Sequence, residues 1–162
     1  MKIVMDSDCL VKLAKSGAKE TIVSAIEVFI PVLVKKETVD QAKKHGYQDA
    51  FIIEENINKE VLHVAKHHLK KPSPLSATKG EADVLSLYLA GDYDAIASDD
   101  QRFLSRLEAA NIPYLTPTAC LIYLSKNERV EKRAALEMLE SLKPFVSREE
   151  YAVAKLYLEE KS

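Results

Sequence analysis

YDAIASDDQRFL, residues 93–104, carries an apolar run, Ala95–Ala97, into Ser98 and then into two adjacent carboxylates, Asp99 and Asp100. The run is short, small and apolar, as a strand buried on both faces is; the acids and the periodic Phe103, Leu104 and Leu107 behind them open a helix. A strand feeding directly into a helix is the repeating unit of a parallel α/β sheet. Asp99 and Asp100 therefore either start a helix or stand at the working edge of a sheet, and which one depends on the rest of the chain.

The same unit recurs outward from this point. Upstream, KIVMD (2–6) is a strand ending in an acid, followed by a helix with Leu10, Leu13 and Ala14 on one face and Gly17 as its stop. Helical spacing returns over 18–28, then FIPVLV (29–34) reads as a buried strand, with Pro31 near its start. KKETVDQAKKHG is a helix ended by Gly46, YQDAFIIEENI a short helix, EVLHVA (60–65) a strand and KKPSPLSA (70–77) a loop. KGEADVLSLYLA (79–90) is an amphipathic helix closed by Gly91. Downstream come IPYL as a strand and TPTACLIYLSK as a helix, with Thr116 as N-cap and Pro117 at the first position. Two further helices follow, about 129–142 and 148–160, the second opened by the capping pair Ser147 and Glu150. The expected fold is a three-layer α/β/α sandwich with a mainly parallel central sheet. Residues 1–128 form that unit and 129–162 a C-terminal helical extension packed on the same domain.

With 162 residues, 47% of them hydrophobic and 30% charged, the chain is long enough to bury a proper core. Its formal charge of −2 gives no global signal for an electrostatic nucleic-acid binder, although a local basic face is compatible with it. Cys9 and Cys120 form no CxxC motif and lie in apolar runs, which argues against a disulfide framework or a thiolate zinc site. MKIVMDSD reaches acids by residue 6 without a signal-peptide core, and no apolar run approaches the ~18 residues of a membrane span. A cytoplasmic location without membrane association is the expectation.

In open parallel sheets, functional groups gather where strands end and helices begin. Asp6 ends the first strand, Glu37 follows the PVLV run, Glu81 opens the 79–90 helix, and Asp99 and Asp100 end the strand quoted above. Carboxylates crowded together repel unless a cation neutralises them, and oxygen-only clusters suit hard ions such as Mg²⁺ or Mn²⁺. Such ions activate water and offset the charge that develops in phosphodiester cleavage. Taken singly, each acid also has a structural explanation. Thr78–Glu81 and Ser98–Gln101 have capping-box spacing, and an acid in a first helical turn gains ~0.3–1 kcal/mol from the helix dipole. Asp6, at the edge of a buried strand, is the least easily explained that way.

These segments together resemble the PIN-domain nucleases. IVMDSDCLVKLAK is similar to the family's opening strand with its first acid at Asp6, and VLVKKETVDQ places Glu37 as the second. KGEADVLSLYLA resembles the helix entry that carries the third, Glu81. AIASDDQRFL resembles the Thr/Ser-x-Asp end motif, with the last acid at Asp100, Asp99 beside it and Ser98 near the metal. The resemblance covers about residues 1–125. It implies an Mg²⁺- or Mn²⁺-dependent ribonuclease with Asp6, Glu37, Glu81 and Asp100 as catalytic acids and metal ligands, Asp99 as an additional ligand, and RNA as substrate. It further implies a homodimer and, for toxin-type (VapC-like) members, an antitoxin-type protein partner. The C-terminal helices depart from that subgroup.

Two rival readings stand beside it. Asp6 and Asp8 have the Asp-x-Asp spacing of haloacid-dehalogenase-type phosphatases, as nucleophile and general acid; Glu37 and Glu81 would then have no role. A non-catalytic RNA- or protein-binding module would use the added helices, with Leu136, Met138, Leu139 and Leu142, as an interaction face. KHHLKK (66–71) and the lysine pairs 35–36 and 43–44 are either phosphate contacts or solvated surface. His63 and His67 have the i, i+4 spacing of a zinc pair, but no third ligand is evident and His63 falls in a strand.

Overall fold

The computed structural model describes residues 1–66, 75 and 78–160. In chain order its elements are β1 (Lys2–Met5), α1 (Ser7–Ser16), α2 (Lys19–Ala25), β2 (Glu27–Pro31), α3 (Val32–Lys35), a π-helical segment (Lys36–Gln41) and α4 (Ala42–Lys44). Then follow α5 (Gln48–Asn58), β3 (Leu62–Ala65), α6 (Lys79–Ala90), β4 (Ala95–Ala97) and α7 (Gln101–Ala109). The chain continues through β5 (Tyr114–Leu115), α8 (Pro117–Lys126), α9 (Lys132–Leu142) and α10 (Arg148–Glu160). The 70–77 loop except Leu75, His67 and the basic run beyond Lys66 lie outside the described residues. Among the described residues no helix is long and apolar enough to cross a membrane, and both cysteines are free and buried.

All five strands are parallel, in the order β3-β2-β1-β4-β5. Central β1 buries Ile3, Val4 and Met5 completely, and β4 buries Ile96 and Ala97 likewise, because helices cover both faces of the sheet. Register pairs Val4 with Phe29 on one side and with Ile96 on the other. From β1 the chain steps to β2 and β3 in one direction, then returns through α6 to β4 and continues outward to β5. Parallel crossovers are right-handed, so the two directions of travel send their helices to opposite faces. The connections leaving β1 and β4 therefore part company, and a crevice opens beyond the C-terminal ends of those two strands. Asp6 follows one strand directly; Ser98, Asp99 and Asp100 follow the other.

The structure moves one boundary that matters. β2 ends at Pro31, and VLV, expected in the strand, begins a helix. Val34 is fully buried while Val32 is 48% exposed; the run has one buried side, and its tertiary position overrides its β-branched character. Pro31 stands in extended backbone just ahead of the first turn, where its missing N–H costs nothing. Glu37 is thus not in a first turn. It lies in the second, inside the π segment that continues the same run of helix.

Helices α9 and α10 extend the hydrophobic core. Ala135, Leu139 and Leu142 of α9, with Ala154 and Leu158 of α10, are buried in the cluster that also holds β1 and α1, and α9 packs on α1 and α8. At the other end of that layer, the buried ammonium of Lys19 on α2 donates to Asn56 and to the Ile52 carbonyl of α5. Leu139→Ala removes a fully buried side chain and is expected to cost about 2–5 kcal/mol. Urea unfolding followed at two wavelengths checks it: one shared transition moved to lower urea is expected, whereas a separate early transition would make α9 and α10 an independent unit.

Candidate active site

A cleft of about 350 Å³ opens beyond β1 and β4, and Asp6, Asp8, Glu37, Glu81 and Asp100 all line it. These acids come from segments far apart in sequence. The cleft also receives three helix N-termini. Asp6 is the N-cap of α1, Thr78 of α6 and Asp100 of α7, so the first turns of helices of 10, 12 and 9 residues direct partial positive charge into it. That field lets several carboxylates share one small space.

Each acid is held differently. Asp6 Oδ1 accepts from the Cys9 N–H at 2.8 Å, and its Oδ2 accepts from the Ser98 hydroxyl. Ser98 in turn accepts from the Asp100 N–H, linking the ends of β1 and β4. Burial pushes the Asp6 carboxyl up to about 6 from an ordinary 3.8, with Asp8 and Asp99 adding repulsion; the two hydrogen bonds pull the other way and lose. Glu37 Oε2 accepts from the Ser7 hydroxyl at 2.5 Å. Asp100 spends Oδ1 on the N–H groups of Arg102 and Phe103, each at 2.9 Å. It is this residue, rather than Ser98, that caps α7. Glu81 completes a full capping box with Thr78, and its Oε2 also takes a 2.7 Å ion pair from Arg106.

Asp99 does not line the cleft. Its side chain is 5% exposed and paired with the ammonium of Lys12, which also reaches Asp8 at 2.9 Å. Burial drives the Asp99 carboxyl up to about 6; Lys12 opposes the rise and the charge of Glu150 reinforces it. Glu150 itself comes from α10. Its backbone N–H bonds to Ser147, as capping spacing requires, but its side chain leaves the cap to accept from the hydroxyl and N–H of Thr118 at 2.8 and 3.3 Å. Among the described residues its second oxygen, Oε2, is buried without a hydrogen-bond partner. Lys12 was not singled out from the sequence, and Glu150 was marked there only as a capping residue. The i, i+4 spacing of Asp8 and Lys12 is a legible trace of the first; nothing local marks this role of the second, whose partner lies 32 residues away.

The donors are all oxygen, which suits a hard divalent ion. Among the described residues, however, no three carboxylate, imidazole or thiolate groups stand close enough to share one. The Glu81 carboxylate is engaged through Oε2 by both Arg106 and the Thr78 N–H. His63 is no ligand candidate: it lies in β3 with its ring stacked on Phe29, centroids 4.8 Å apart. Of the lysine pairs, Lys43 is engaged by Glu54 and lies over the Phe51 ring.

A family model described as a PIN domain matches residues 2–160, and so takes in α9 and α10. Among solved structures, a PilT N-terminus domain protein from the hyperthermophilic archaeon Sulfolobus solfataricus P2 is similar, with a TM-score of 0.52 and 12% identity. The similarity covers 81% of this chain and 95% of that one, and at such low identity it bears on the fold alone. No curated protein matches.

Burial of Asp6 has a thermodynamic consequence with a definite sign. Because its folded pKa is raised, the folded state holds the proton more tightly than the unfolded state between about pH 4 and pH 6, so stability from this group is lost as pH rises through that window. Asp6→Asn is therefore expected to melt higher than wild type at pH 7.5, with the difference shrinking toward pH 4. Melts of both proteins across that range check it; a difference independent of pH would place the cost elsewhere.

Proposed function

The chain belongs to the PIN-domain family, and from that premise we propose that it is a divalent-metal-dependent endoribonuclease that hydrolyses RNA phosphodiesters. The supporting observation is the convergence of Asp6, Glu37, Glu81 and Asp100, from four separate segments, on one cleft at the point where strand order reverses.

In this reading Asp6, Glu37, Glu81 and Asp100 would hold Mg²⁺ or Mn²⁺, their carboxylates drawing closer together around it and Glu81 giving up Arg106. The bound ion supplies charge neutralisation and activation of water. The protein supplies fixed geometry. Cys9 N–H and Ser98 hold Asp6 in one orientation, Ser7 holds Glu37, and the α7 backbone holds one oxygen of Asp100, leaving the other without a partner among the described residues. Groups already oriented reorganise little as charge develops. The N-termini of α1, α6 and α7 receive the anionic scissile phosphate, with Lys79 on the rim of the cleft. Asp99, locked against Lys12, acts behind the site.

A second reading rests on the engagement of Glu81 by Arg106 and Thr78: a module that binds RNA without cutting it. Cleavage of a fluorescent oligoribonucleotide decides between them. Wild type is expected to cut in Mn²⁺ or Mg²⁺ and to stop in EDTA. Asp6→Asn and Asp100→Asn are each expected to lose about 100-fold or more, above the ~10–100-fold cost of disturbing a supporting group, and Asp99→Asn clearly less. Binding without metal-dependent cleavage establishes the second reading; equal losses at 99 and 100 would make both acids ligands.

A further inference from the structure

A second pocket, of about 340 Å³, adjoins the acid cleft and shares Ser7 and Glu37 with it, so the hydrogen bond between those two side chains is the wall that separates them. We propose that this pocket receives one unpaired nucleobase of the substrate next to the scissile phosphate. The inference rests on the ribonuclease reading above and adds a subsite to it.

Three features carry the argument. The first is the shape of the helix that forms one wall. A π turn has more residues per turn than an α turn, and such turns cluster at functional sites. Here the Lys36–Gln41 segment presents both Glu37–Thr38 and Gln41–Ala42 to the same pocket, opposite Val11 of α1. Ala42 and Val11 offer apolar surface to a ring face, and the exposed Gln41 offers hydrogen-bonding groups to its edge, whereas the Thr38 hydroxyl is spent on the Val34 carbonyl.

The second is the aromatic pair at the pocket. Gly46 adopts a left-handed backbone, φ 76°, which turns the chain sharply between α4 and α5. The turn brings the rings of His45 and Tyr47 to 6.0 Å between centroids, and Tyr47 is 56% exposed although its ring is large and apolar. An exposed aromatic beside a nucleotide-sized pocket is a stacking platform, and stacking on such platforms is indifferent to sequence because every base has a π face. The third is charge. Lys15 lies on the pocket and is exposed, and no ion pair of its ammonium is found among the described residues. A flanking phosphate would be its partner. A base inside a duplex reaches none of these groups, because its faces are stacked and its edge is paired.

Binding tests this separately from cleavage. Affinities in EDTA are measured by fluorescence anisotropy for wild type, Tyr47→Ala and Tyr47→Phe, using a single-stranded oligoribonucleotide and a series carrying one abasic nucleotide at successive positions. Tyr47→Ala is expected to weaken binding about tenfold, in the range for losing one stacked base, and Tyr47→Phe to restore it. At one position the abasic change is expected to weaken wild type about as much and Tyr47→Ala hardly at all, since both remove the same contact. The same strand as a duplex is expected to bind weakly. Effects that multiply at every position, duplex binding as tight as single-strand binding, or no binding by wild type each overturn the proposal. The non-additive pattern without any Mn²⁺-dependent cleavage keeps the base pocket and removes the nuclease reading; cleavage with multiplying effects does the reverse.

Discussion

When the strand order of a parallel sheet reverses, right-handed crossovers force neighbouring connections onto opposite faces, and no backbone fills the space between them. In this molecule that space lies beyond β1 and β4. The carboxylates of the candidate site are gathered by it. Asp6 and Asp100 meet there because their strands are hydrogen-bonded neighbours in register, Met5 beside Ala97, and the Asp6 N–H bonds back to the Ala97 carbonyl. Two acids 94 positions apart are thus placed by backbone geometry, which no side-chain substitution at the surface disturbs.

Crowding acids in a half-dry crevice is unfavourable, and the chain counters it with backbone dipoles and with cations, Arg106 on Glu81 and Lys12 on Asp8 and Asp99. Helix N-termini surround the cleft, and Lys12 bridges Asp8 and Asp99 behind it. Capping and function are not alternatives at such a site. A carboxylate that caps a helix is one whose direction is fixed by backbone N–H groups, and a fixed carboxylate at a strand end is what ion binding needs. The remaining cost, of burial first and of repulsion second, shows in the raised proton affinities of Asp6 and Asp99.

Asp6 and Asp100 could be read from the sequence because their cause is local: an apolar run stops and an acid follows. Glu81 was legible through its capping spacing with Thr78. Glu37 lines the cleft, but from a different frame than expected, since Val32 and Val34 have β-branched side chains but a helical environment, and burial decided the matter. The π turn left no sequence trace that periodicity detects, because one wide turn shifts the phase only briefly. Which of Asp99 and Asp100 lines the cleft was beyond reach, for it depends on which one faces Lys12. Glu150 was hidden for a similar reason: its spacing announced a cap, while its carboxylate is committed to Thr118 across the helix layer.

The wide turn at Lys36–Gln41 also makes chain length a variable of its own here. A π turn is an α-helix carrying one residue more than it needs, so removing a single residue lets the regular ladder close without breaking the helix. The fold would survive that deletion. Phase would hardly change, since four wide steps and three regular ones carry the chain through much the same angle, so Gln41 and Ala42 would keep the wall they share with Glu37 after the loss of one codon there.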